Sequence, residues 1–261
     1  MIKIFQIFAF SLIILSGCSK ENINHAFNDI VVVEGYLYAG RPLEIKVSRQ
    51  VPYSNEAVYS PDNLDSLSLS VFDGNLHYEL NSIGDGKYSH PEIKVIQHNT
   101  YELHFYYNNT LVSTETVVPE KPVNFSSNAT NVDVSDNILI ANNPDELELS
   151  WDNANGSFYF LLVENIESEP TLINENTDVS FINKSFNLPP TQSDKYLIKT
   201  RLFSYYGSYR IILFNINTDL AALYESNDNT SQNITNPPTD LENAFGIFTG
   251  INADTLYINI N

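Results

Sequence analysis

Alternation of apolar and polar side chains is the strongest signal along this chain. Leu43, Ile45 and Val47 alternate with Glu44, Lys46 and Ser48. A period of two places one set of side chains on each face of a strand, so this run predicts a strand with one wet face. Leu67, Leu69 and Val71 alternate with Ser66, Ser68 and Ser70 in the same way. Tyr101, Leu103, Phe105 and Tyr107 line one face of another strand, with Glu102, His104 and Tyr106 on the other. Leu147, Leu149 and Trp151 alternate with Glu146, Glu148 and Ser150, and Leu256, Ile258 and Ile260 with Tyr257 and Asn259. Residues 30–39 are β-branched and aromatic and predict a buried strand; residues 157–163 predict a densely apolar one. Tyr209, Ile211 and Leu213 share a face in a strand introduced by Gly207. Residues 76–80, 111–118 and 244–250 supply further strands. Turn chemistry separates them at Ala39-Gly40-Arg41-Pro42, Asp73-Gly74, Gly84-Asp85-Gly86, Asn108-Asn109 and Asp152-Asn153-Ala154-Asn155-Gly156. Helical spacing stands out at Leu220, Leu223 and Tyr224, with Asn217 or Thr218 as the expected cap.

Pro119-Glu120-Lys121-Pro122 interrupts this pattern. Proline at both ends limits strand continuation and stiffens the connection. The expected fold class is all-β: two consecutive immunoglobulin-like or fibronectin type III-like β-sandwich domains, with one short helix in the second, after a lipoprotein signal peptide. The bounds are residues 1–17 for the signal, 18–28 for a flexible tether, 29–119 for the first sandwich and 123–261 for the second. A buried Trp151 followed by a strand led by Tyr209 resembles fibronectin type III. Residues 51–65 form a polar loop long enough to be functional, and residues 225–241 an exposed, proline-bearing one.

Composition narrows the partners. The chain carries 32 acidic against 13 basic residues, a formal charge of −19. That excludes nucleic acid and anionic lipid surfaces, which need basic patches. Tyrosine (16) and phenylalanine (15) are too abundant for a disordered chain and favour strands.

The N-terminus reads as an export signal. Lys3 provides the positive start, and residues 4–14 are apolar apart from Gln6 and Ser11. Leu15-Ser16-Gly17-Cys18 follows, with the single cysteine of the chain. These residues resemble the lipobox of bacterial lipoproteins. That implies cleavage before Cys18, acylation of Cys18 and attachment to membrane lipid, with Ser19 favouring the outer membrane. Three acyl chains exceed the two signals that stable anchoring needs. A lone cysteine forms no internal disulfide, so an exported fold of this chain rests on packing.

Several stretches together resemble a family of Bacteroidota lipoproteins catalogued as domain of unknown function 4249. They are the lipobox, the opening strand Val31-Val32-Val33-Glu34-Gly35-Tyr36-Leu37, the turn Gly86-Lys87-Tyr88, Asn236-Pro237-Pro238, and the run from Leu241-Glu242-Asn243-Ala244 to Phe245-Gly246-Ile247-Phe248. The chain carries Ala244 where the family pattern has a glycine, and Leu241 in its apolar slot. The resemblance implies an accessory role in uptake beside a TonB-dependent outer-membrane receptor.

Candidate chemistry is sparse. There is no Gly-x-Ser-x-Gly elbow, no His-Glu-x-x-His and no phosphate-binding glycine loop, so no catalytic residue is assigned and the protein is expected not to be an enzyme. His25, His77, His90, His98 and His104 are scattered without ligand spacing, so no metal site is assigned, and no cofactor is implied. Loop oxygens of Asp62, Asp65, Asp73, Asp85, Asp152, Asn153 and Asn155 suit turns better than calcium. Tyrosines remain. Tyr53 and Tyr59 in the first long loop, and Tyr205 and Tyr206 before Gly207, are the candidate binding residues, because exposed phenol rings stack on sugars or on partner proteins. The expected function is a non-catalytic, lipid-anchored outer-membrane lipoprotein, an accessory or ligand-capture component beside a TonB-dependent receptor. The alternative is a surface module that binds glycans or mediates adhesion without a transporter.

Overall fold

A computed structural model describes residues 30–49, 64–134, 146–174, 182–226 and 240–261. The signal, the tether, Cys18, the loop bearing Tyr53 and Tyr59, and the Asn236-Pro237-Pro238 stretch lie outside the described residues.

Within the described residues the regular structure is mostly strand. In order, the strands are β1 (Val31–Tyr38), β2 (Pro42–Arg49), β3 (Ser70–Phe72), β4 (His77–Glu79), β5 (Asn81–Gly84), β6 (Lys87–Lys94), β7 (Thr100–Tyr107) and β8 (Thr110–Val117). There follow β9 (Ser126–Ser127), β10 (Asn131–Val132), β11 (Glu146–Ser150), β12 (Phe158–Asn165), β13 (Ser185–Thr191), β14 (Lys195–Lys199), β15 (Gly207–Ile216) and β16 (Phe245–Ile260). One α-helix, α1 (Thr218–Ser226), lies between the last two.

A nine-stranded sheet runs β13-β12-β15-β16-β1-β2-β6-β5, with β10 added beside β16. Smaller sheets, β4-β3-β7-β8 and β14-β11-β9, cover one face of it. The first core joins Val33, Leu37, Ile45 and Tyr88 to Val71, Leu103, Phe105 and Val112 of the four-stranded sheet. The second joins Leu161, Ile211, Leu213 and Ile258 to Leu147, Leu149, Trp151 and Ile198. The alternating runs supply these side chains because every second residue of a strand faces the same way. The β1 run obeys that rule too. Val31, Val33 and Leu37 are buried, while Tyr36 is 42% exposed, so the strand expected to be buried throughout has an open face.

The two strands expected at residues 244–250 and 256–260 are one, β16. Its first half pairs in parallel with β1, from Val32 with Phe245 to Tyr38 with Ile251. From Ile251 onward it pairs with β15 in antiparallel register. One strand thereby belongs to both sandwiches, and the first core takes in Leu241, Ala244 and Phe248 from the far end of the chain. Asn252-Ala253-Asp254, turn-like in sequence, fixes the crossing. Asn252 Nδ2 donates to Pro119 O (3.0 Å), and Lys121 Nζ lies 2.8 Å from Asp254 Oδ1. The proline-flanked connection is held by these side chains.

Turn chemistry follows the sequence. Asn108 and Asn109 have φ of 49° and 63°, the mirror-image turn a two-residue hairpin needs. Asp73 Oδ1 accepts from the Asn75 and Leu76 amides at 2.9 Å each. Asp65 Oδ1 accepts from Gly86 N (2.8 Å), so both carboxylates serve turns.

Candidate functional site

Two features on the described surface can meet another molecule. One is a cleft; the other is an open sheet face.

The cleft, about 470 Å³, lies where the end of β8, the connection at Pro119, the start of β12, the end of β15 and the start of α1 converge. Among the described residues its charged lining is acidic: Glu115, Asp219 and Asp240. Glu115 and Asp240 are exposed, and Asp219 is half-buried. Asp219 Oδ1 accepts from the Leu220 amide (2.8 Å) and from the hydroxyl of fully buried Thr249 (2.9 Å). Burial pushes the Asp219 carboxyl above its ordinary range; those two hydrogen bonds oppose the shift and nearby Asp240 adds to it.

Three amide side chains complete the lining, and each uses its N–H group on the protein. Asn217 Nδ2 donates to Thr116 Oγ1 (3.0 Å) and Val117 O (2.9 Å). Gln192 Nε2 donates to Gly156 O (2.7 Å). Asn215 Nδ2 donates to Glu120 O (3.1 Å), while its Oδ1 is buried without a partner. Of the two expected caps, Asn217 and Thr218, the Asn217 side chain instead ties the start of α1 to β8. The Asn217 backbone carbonyl accepts the first helical bond, from Ala221 N (3.1 Å).

The open face belongs to the nine-stranded sheet. α1 packs on part of it through Leu220 and Ala221 against Ile216, Ile247 and Ile251. Tyr224 stacks on Phe160 (4.9 Å), which meets Phe214 across the strand pair (5.9 Å). Beyond the helix, Tyr257 is 60% exposed beside the Glu164–Arg210 ion pair. Tyr36, on the far side of β16, opens on the same face.

Tyr205 and Tyr206, the candidates that fall within the described residues, are half-buried. The Tyr209 hydroxyl donates to Tyr205 O (2.9 Å) and accepts from Tyr205 N (3.2 Å), a closure known as a tyrosine corner in β-sandwiches. Tyr206 packs against the second core, and its amide donates to Thr171 O (2.8 Å). The more open rings are Tyr36, Tyr106, Tyr224 and Tyr257. Strand parity was the available signal for Tyr257, which alternates with buried Ile258 and with Leu256. Among the described residues no group of three acidic, histidine or cysteine side chains is arranged to hold a metal ion.

The family model described as Domain of unknown function (DUF4249) matches residues 20–256. The chain belongs to the DUF4249 family. No curated protein matches it significantly. Among solved structures, the FN1–FN3 domains of chicken CNTN1 are 12% identical, with 72% of this chain and 59% of that one covered at a TM-score of 0.29. Domains A168–A170 of titin are 12% identical, with 72% and 61% covered at a TM-score of 0.20. This DUF4249 chain spans about three fifths of each of those two chains. At such low TM-scores its architecture rests on its own sheets and cores.

Proposed function

We propose that this DUF4249 protein is a non-catalytic Bacteroidota lipoprotein. It is held in the outer membrane by acylated Cys18 and acts as an accessory or ligand-capture component beside a TonB-dependent receptor. The observation that carries the reading is Leu15-Ser16-Gly17-Cys18, small residues before the one cysteine of the chain, directly after an apolar export signal. Family membership supports it. The open tyrosines Tyr36 and Tyr257 add a surface suited to contact with another protein. Membrane fractionation of cells carrying the parent and Cys18→Ser is the test. The parent is expected in the outer-membrane fraction after a salt wash, and the variant in the soluble fraction. A Cys18→Ser protein that stays on the membrane through the wash overturns the anchor.

The second reading is a glycan-binding surface module that works without a transporter. The exposure of Tyr257 (60%) and Tyr106 (66%) favours it, since open phenol rings stack on sugars. It predicts glycan-array binding that Tyr257→Ala or Tyr106→Ala removes; an array with no bound glycan sinks it.

A further inference from the structure

We propose that the cleft beside α1 binds a small organic cation rich in N–H donors, of the guanidinium or primary-amine class. This goes beyond the lipoprotein reading and does not depend on it.

Charge is the first observation. Among the described residues the lining holds three carboxylates, Glu115, Asp219 and Asp240, and no lysine, arginine or histidine.

Hydrogen-bonding polarity is the second, and it is independent of charge. Asn217 has both amide N–H groups on protein oxygens, and Asn215 and Gln192 have one each. Their carbonyl oxygens remain as acceptors for a ligand. One such oxygen, Asn215 Oδ1, is buried with no partner, on a residue only 2% exposed. A buried acceptor without a donor is costly, and a ligand N–H would satisfy it.

Together these observations select the ligand class. A neutral sugar can donate to these oxygens but gains no charge attraction from three carboxylates. An anion is repelled. A bare divalent ion needs oxygens converging at short range, and no group of three acidic, histidine or cysteine side chains among the described residues is so placed. A guanidinium or ammonium compound is donor-only at its charged end and makes charge-assisted bonds to carboxylates. The cleft, at about 470 Å³, is of small-molecule size. Phe158 and Pro119 supply apolar wall for a carbon chain.

The test is calorimetric titration of the full-length protein in detergent with agmatine and with putrescine. Glucose and magnesium chloride serve as comparisons at the same ionic strength. Agmatine is expected to bind saturably at one site, more tightly than putrescine, because guanidinium carries more donors. Asp240→Asn, at an exposed position, is expected to weaken binding by about fivefold to tenfold through loss of one charge-assisted bond. Asn215→Leu, which leaves the charge unchanged, is expected to weaken it at least about tenfold. Glu79→Gln, outside the cleft, removes a charge from the same acidic protein and is expected to leave binding unaltered. No saturable heat with either amine overturns the proposal. So does equal loss of affinity in Asp240→Asn and Glu79→Gln, or binding of glucose or magnesium as tight as that of agmatine. If Asn215→Leu does not fold, Asp240→Asn against Glu79→Gln still decides.

Discussion

Phe248 lies over Gly35, its register partner across the parallel β1–β16 pair. A Cβ added at Gly35 would stand 2.6 Å from Phe248 Cδ2. Two residues more than two hundred positions apart are thereby fitted to each other. They come from the opening strand and the closing motif through which the chain resembles its family. Gly35→Ala should cost about 1–3 kcal/mol, since the ring must move out of a packed core. Phe248→Leu relieves the clash, so the double variant should be more stable than the sum of the two single losses. Denaturant unfolding of the four proteins measures this; strict additivity would separate the two residues.

Gly246 is constrained by backbone. Its φ is 111°, and an added Cβ would fall 1.9 Å from Val33 O. Gly246→Ala combines a left-handed conformation that alanine resists with a main-chain clash, so a loss above about 3 kcal/mol is expected. Ala244 is not among the residues with positive φ, so alanine sits there without backbone strain. Ala244→Gly should therefore lower the unfolding midpoint slightly, through lost burial and added chain entropy. A gain in stability would contradict this.

The tyrosine corner makes a separate prediction. Tyr209→Phe keeps the ring in the second core but leaves Tyr205 N and O without the hydroxyl. The expected cost is about 1–2 kcal/mol, with faster hydrogen exchange at the Tyr205 amide. Unchanged exchange there would mean that the corner does not hold residues 205–206.

Strand identity was legible wherever one face is buried. The runs at 43–47, 101–107 and 147–151 place the expected side chains in the cores. What connects distant strands was not legible. Asn252-Ala253-Asp254 has turn-forming composition, yet the chain runs through it extended because Pro119 and Lys121 engage its side chains. The parallel pairing of β1 with β16 leaves no local trace, because its partners are far apart in sequence. Tyr205 and Tyr206 resemble Tyr257 in composition alone; their place beside Tyr209 half-buries them. The cleft was hidden for a similar reason. Its carboxylates and amides come from β8, β15, α1, the turn after β13, Asn217 and Asp240, and no motif joins them.

Asp219 gives the cleft a pH signature. Burial raises its carboxyl above the value near 3.9 expected in the unfolded chain. The folded state therefore keeps this proton to higher pH than the unfolded state does. The stability it contributes is complete below the unfolded value and is lost as pH rises through the folded one. Asp219→Asn removes the charge and keeps an acceptor for Leu220 N and Thr249. It should unfold at higher denaturant concentration than the parent at pH 7, with the difference closing as pH falls toward about 4. A difference that widens on acidification would contradict the burial of this carboxylate.

The proposed partnership is tested most directly by what the protein is recovered with. Cells expressing the full-length protein with a photo-cross-linking residue at Tyr257 would be irradiated and extracted in mild detergent, and the adducts identified by mass spectrometry. The predicted result is an adduct with a TonB-dependent outer-membrane receptor, lost when Cys18→Ser releases the protein from the membrane. Recovery of the protein with no barrel adduct, from Tyr257 and equally from a second probe at Tyr36, would contradict the proposed accessory role.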